Sequence, residues 1–167
     1  MIIVFLKRLI LMLVLVFLQV LVCNHIHLWG YATPMPYVLF LFSFPLNSNR
    51  MGNMVWAFVL GLLVDTFSNT LGEATASLTL TAFVQWPLLH AMAPKDCIED
   101  MVPTYRSMGR WNHIRYIFLL TLIHHVVFYL LESLSFYHMS VMLTSLASSF
   151  ALSLMLVLTL DTLRNGK

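Results

Sequence analysis

The sequence predicts an all-α integral membrane protein, a bundle of six transmembrane helices, and three observations carry that prediction. Of the 167 residues, 60% are apolar and only 10% are charged, with a mean hydropathy of +0.85. A soluble domain covers its surface with roughly 25% charged residues, so this chain requires lipid as its solvent. Apolar runs close to the length of a membrane span recur along the whole chain. Finally, if six such runs cross, every Lys and Arg falls on one side of the membrane, as cytoplasmic loops require. At about 20 residues per span nothing remains for a separate soluble domain. Nine Lys and Arg against seven Asp and Glu form no basic face, which excludes nucleic-acid binding.

The first segment, 9–28, follows Lys7 and Arg8 and contains Cys23. A lipoprotein signal needs a small residue before the cysteine; Val22 stands there, and an uncleaved first helix is expected. The second segment, 32–46, is short and carries Pro34, Pro36 and Pro45. Length alone allows a re-entrant piece, but omitting this span would place Arg50 opposite Lys7 and Arg8, so charge favours a crossing. Segments 53–69, 74–93, 114–135 and 138–162 complete the six, with both termini cytoplasmic. The 94–115 connection mixes Asp96, Glu99 and Asp100 with Lys95, Arg106, Arg110 and Arg115, and is read as a short interfacial helix or an ordered surface loop. The outer connections are short and carry no basic residue. Trp29, Tyr31, Tyr105, Trp111 and Tyr116 fall at predicted boundaries, where amphipathic rings prefer the headgroup zone. Cys23 and Cys97 are too few for a disulfide framework or thiolate metal site, and they lie on opposite predicted sides.

Asp65 falls roughly 20 Å up its span. A carboxylate at that depth needs a partner, either as a functional group or as a structural tie to the turn after it or to a neighbouring helix, where His125 and Glu132 are the nearest candidates by depth. His124 and His125 lie near mid-bilayer, with Glu132 on the same helical face as His125. They are read as packed interior residues rather than metal ligands. No paired metal-binding histidines, elbow serine or other catalytic set occurs, so no enzyme activity, cofactor or metal is expected. Small polar residues form two stripes: Ser77, Thr81 and Gln85, and Ser145, Ser149 and Ser153 beside Thr144 and Ser148. Each is either an internal helix seam or a docking face for a partner helix.

Gly61-Leu-Leu-Val-Asp65-Thr-Phe-Ser-Asn-Thr-Leu71-Gly72-Glu-Ala-Thr-Ala-Ser77 resembles the signature region of the MreD family of rod shape-determining membrane proteins. Length, the basic N-terminus and the proline-flanked second span agree with that resemblance along the whole chain. Gly61, Asp65, Leu71 and Gly72 match the pattern; the histidines and Glu132 do not belong to it. The resemblance implies a non-enzymatic scaffold of the cell-elongation machinery in the bacterial cytoplasmic membrane. Its implied partners are an MreC-like single-span protein, the actin-like MreB, RodA with its transpeptidase, and membrane lipids. It also implies a fold like that of the six-helix S-component of energy-coupling-factor (ECF) transporters. The alternative is that the chain is itself such a substrate-binding subunit for a vitamin. Those subunits dock through an Ala-x-x-x-Ala face on their first helix, whereas the first alanine here is Ala32, beyond that helix.

Overall fold

The computed structural model describes residues 2–25, 33–70, 72–93, 101–133 and 139–165. Among them the regular structure is entirely helical: α1 (Ile2–Leu21), α2 (Arg50–Ser68), α3 (Glu73–Met92), α4 (Tyr105–Met108), α5 (Arg110–Ser133) and α6 (Met139–Asn165), with short 3-10 helices at Cys23–His25 and Pro36–Ser43. In α1, α2, α5 and α6 a stretch is long and apolar enough to cross a membrane. The 20-residue α3 is more polar, with Thr75, Ser77, Thr79, Thr81 and Gln85 along it. Several helices begin earlier than their apolar runs. α1 and α5 take in Lys7, Arg8, Arg110 and Arg115, because long basic side chains extend to the interface while their backbone stays helical.

The second segment departs from expectation. Where a spanning helix was predicted over 32–46, the chain forms an eight-residue 3-10 helix, Pro36–Ser43, preceded by non-helical residues 33–35. At about 2.0 Å per residue the helical part rises only about 16 Å. Pro34 and Pro36 remove two N–H donors, and residues preceding a proline avoid the α region, which explains the break.

Hydrogen bonds fix the direction of each element. Asn24, just after α1, donates to Ser68 at the end of α2 (2.8 Å). At the opposite end Phe5 of α1 packs on Trp56 of α2 (5.1 Å between ring centroids). These two helices are therefore parallel, and the 33–46 segment returns along the bundle between them. α3 runs antiparallel to α2, with Arg50 near its last turns. Tyr116 meets Gln85, so α5 starts beside the end of α3, and α6 runs antiparallel to α5 through the pairs Tyr129–Ser149, His125–Ser153 and His113–Asp161. Lys7, Arg8, Arg50, Arg106, Arg110, Arg115 and Arg164 consequently share one end of the bundle.

The returning segment is the centre of the molecule. Its 3-10 helix touches α1, α2, α3, α5 and α6, and Tyr37, Val38, Phe40, Leu41, Phe42 and Phe44 are buried. Tyr116, expected at the headgroups, is also buried, its ring packed on Phe42 (5.5 Å). Trp111 is exposed at 74%, as a boundary residue should be. Trp29, Tyr31 and Cys97 lie outside the described residues. In the 101–109 stretch, the four-residue α4 opens on a Thr104–Ser107 capping box.

Backbone donors and acceptors freed by the break are met by side chains on the surrounding helices. Thr33 N–H donates to Ser149 (3.0 Å) and Met35 N–H to Ser153 (2.8 Å). Gln85 Nε2 donates to the Leu41 carbonyl (2.6 Å). Of the two readings of the sixth-segment stripe, Ser149 and Ser153 take the internal one, buried inside the chain and already bonded, while Thr144 is exposed and Ser145 and Ser148 are half-buried. The stripe of Ser77, Thr81 and Gln85 is likewise internal. Ser149→Leu is therefore expected to destabilise the fold, by about 1–3 kcal/mol for the orphaned Thr33 N–H and a similar amount for overpacking. Thermal unfolding in detergent checks this; an unchanged transition would show that the serine faces lipid.

Candidate functional site

The motif residues meet where α2 ends and α3 begins. Gly61 marks the closest approach: a Cβ there would sit 2.5 Å from Thr75 Cα and 2.8 Å from Thr75 N. No side chain fits between these two backbones. One turn further, on the same face, Asp65 is 6% exposed and reaches across to the start of α3.

There the carboxylate substitutes for a capping residue. The first amides of a helix have no intrahelical acceptor. Gly72 occupies the cap position of α3 without a side chain, in a left-handed conformation (φ 87°) that glycine adopts without penalty. Asp65 Oδ1 instead accepts from Ala74 N–H (3.0 Å) and the Thr70 hydroxyl, and Oδ2 accepts from Thr75 N–H (2.8 Å) and the Thr75 hydroxyl (2.5 Å). The negative charge also faces the positive end of the α3 dipole. The Asp65 carbonyl accepts from Asn69 and Thr70 N–H, closing α2 with Asn69 in a left-handed conformation (φ 57°, ψ 39°). Leu71 lies outside the described residues.

Asp65 was expected to bond the following turn or a neighbouring helix, with His125 and Glu132 nearest. It bonds the turn and the start of α3, and neither His125 nor Glu132 is its partner. His125 Nδ1–H donates to the Thr121 carbonyl (2.8 Å), which leaves Nε2 to accept from the Ser153 hydroxyl (2.9 Å), itself the acceptor of Met35 N–H. His124 Nε2 meets the Tyr37 hydroxyl (3.1 Å). Both rings are fully buried, and both serve the 33–46 segment. Glu132 is half-buried near the C-terminal end of α5. Among the described residues no group of three metal-ligating side chains forms.

One buried pair escaped the sequence reading. His113 Nε2 lies 2.7 Å from Asp161 Oδ2, with both side chains almost fully buried. Tyr105 from α4 packs edge-to-face with His113 (4.4 Å between ring centroids) and its hydroxyl reaches Thr162 (3.3 Å), fastening α4 to α5 and α6. The available signal was a His and an Asp at the basic ends of the last two segments, but starting α5 at residue 114 left His113 in the loop.

No family model, curated protein or solved structure matches the chain.

Asp65→Leu strands two helix-capping amides, and at about 1–3 kcal/mol for each unpaired buried donor it is expected to cost several kcal/mol. Asp65→Asn retains one oxygen and turns an NH2 group toward two donors, so it should also destabilise, though less. Gly61→Ala forces the backbones apart and should cost at least about 1–3 kcal/mol. Denaturant titration in mixed micelles ranks the three; a wild-type midpoint for Asp65→Leu would refute the capping role.

Proposed function

We propose that the chain is a non-enzymatic, multi-pass scaffold of the bacterial cell-elongation complex, of the MreD type. In this reading it joins an MreC-like single-span protein and the RodA polymerase with its transpeptidase to MreB. The observation that carries the reading is the convergence of Gly61, Asp65 and Gly72 on one α2–α3 unit. The motif that resembles the family is thus a physical device, a close helix crossing sealed by a carboxylate, and a stable helix surface is what an adaptor offers. The engagement of His125, Ser149, Ser153 and Gln85 in bonds to the broken segment supports a structural rather than a catalytic use of the buried polar groups.

The membrane arrangement proposed with it is six crossings, with both ends of the chain cytoplasmic. It is supported by the parallel α1 and α2, which require the chain to return between them, and by the common end shared by the described basic residues. In a background without native cysteines, Arg106→Cys should be shielded from an impermeant thiol reagent in intact cells and labelled after permeabilisation. Labelling in intact cells would reject the arrangement. Affinity purification of the full chain in mild detergent tests the function: a single-span coiled-coil partner should co-elute. Recovery of an ATPase module with a bound vitamin would instead establish the transporter alternative.

A further inference from the structure

Along the outside of the α2–α3 hairpin runs an open cleft of about 870 Å³. Its apolar floor is formed by Met54, Phe58 and Leu62 of α2 and Leu80 and Phe83 of α3. At the outer end the Asp65 unit closes it, and the hydroxyls there are already committed: Thr66 to the Leu62 carbonyl, Thr70 and Thr75 to Asp65, and Thr79 to the Thr75 carbonyl. From Met54 to Leu62 the floor rises about 12 Å, close to the depth of one leaflet in a hydrocarbon core of about 30 Å.

The other end is cationic and aromatic. Arg50 stands one turn before Met54 on the same α2 stripe, and Trp86 and His90 continue the α3 stripe beyond Phe83. Pro87 has no N–H, so the Phe83 carbonyl lacks its helical donor, and Arg50 supplies one (3.3 Å). The guanidinium also lies 3.8 Å from the Phe83 ring centroid and 5.8 Å from that of Trp86. Its Nε is buried without a hydrogen-bond partner. Among the described residues no carboxylate lies within ion-pair distance of Arg50.

We propose that this cleft binds an anionic phospholipid of the leaflet on the basic side, its phosphate at Arg50 and an acyl chain along Met54, Phe58 and Leu62. A fixed cation at the headgroup level, an aromatic shelf beside it and an apolar channel one leaflet deep match the parts of such a lipid. A partner's transmembrane helix would need an apolar face through both leaflets, and the outer half of this cleft is threonine-lined. The site is independent of the scaffold reading.

Native mass spectrometry of the full chain in mild detergent, titrated with phosphatidylglycerol or phosphatidylcholine, tests it. The wild type should retain phosphatidylglycerol in preference. Arg50→Gln should reduce that preference about fivefold, Arg50→Lys should keep most of it, and Arg110→Gln, at an exposed position elsewhere on the same end, should leave it intact. Leu80→Trp, at a half-exposed position on the cleft floor, should lower retention of both lipids. Equal losses from Arg50→Gln and Arg110→Gln would mean diffuse charge attraction and overturn the site. Unchanged retention in Leu80→Trp, no headgroup preference in the wild type, or displacement of bound lipid by a co-purified partner helix would do the same. If Arg50→Gln does not fold, Arg50→Lys and Leu80→Trp decide the question by themselves.

Discussion

A segment buried inside a helix bundle without forming an α-helix must have its backbone N–H and C=O groups satisfied by the rest of the protein. The 33–46 segment imposes that constraint on the whole bundle. Its prolines forbid a continuous helix, and its position between parallel α1 and α2 obliges it to run the length of the molecule. Five helices pack around it, and Ser149, Ser153 and Gln85 point inward to bond it. His125 in turn holds Ser153, and Tyr129 holds Ser149. Polar residues that would be expensive facing lipid thus become the acceptors and donors of a single broken strand of chain.

The α2–α3 hairpin meets a second constraint of the same kind. The N-terminus of α3 starts within the bundle without a capping side chain of its own, and Asp65 serves it from the preceding helix. Gly61 makes that reach possible by letting the two backbones touch at Thr75. Position and chemistry are coupled here: the carboxylate caps α3 only because the glycine one turn below brings α3 close. An ionisable residue in a span invites a catalytic or transport role, but four hydrogen bonds to the carboxylate account for this one.

Composition and periodicity made the helices legible, because a span needs a nearly continuous apolar run and four of the described helices carry one. The second segment was legible as abnormal, from its prolines, but its 3-10 geometry was not, since short apolar runs leave the backbone class open. The Asp65 turn was readable because Gly72 and the polar run beside it form a local pattern. The roles of Ser149 and Ser153 were not, because a serine stripe looks the same whether it meets a partner helix or the chain's own backbone. His113 and Asp161 are 48 residues apart in sequence, and only the antiparallel docking of α5 on α6 brings them together.

The central claim, that the chain returns through the bundle between two parallel helices, is tested most directly by cross-linking their ends. With Cys23 and Cys97 replaced, cysteines at positions 24 and 68 should be joined by a short bifunctional thiol cross-linker in membranes, since the native side chains there meet at 2.8 Å. Cysteines at positions 24 and 50 should not. A cross-link between 24 and 50 with none between 24 and 68 would make α1 and α2 antiparallel and contradict the account.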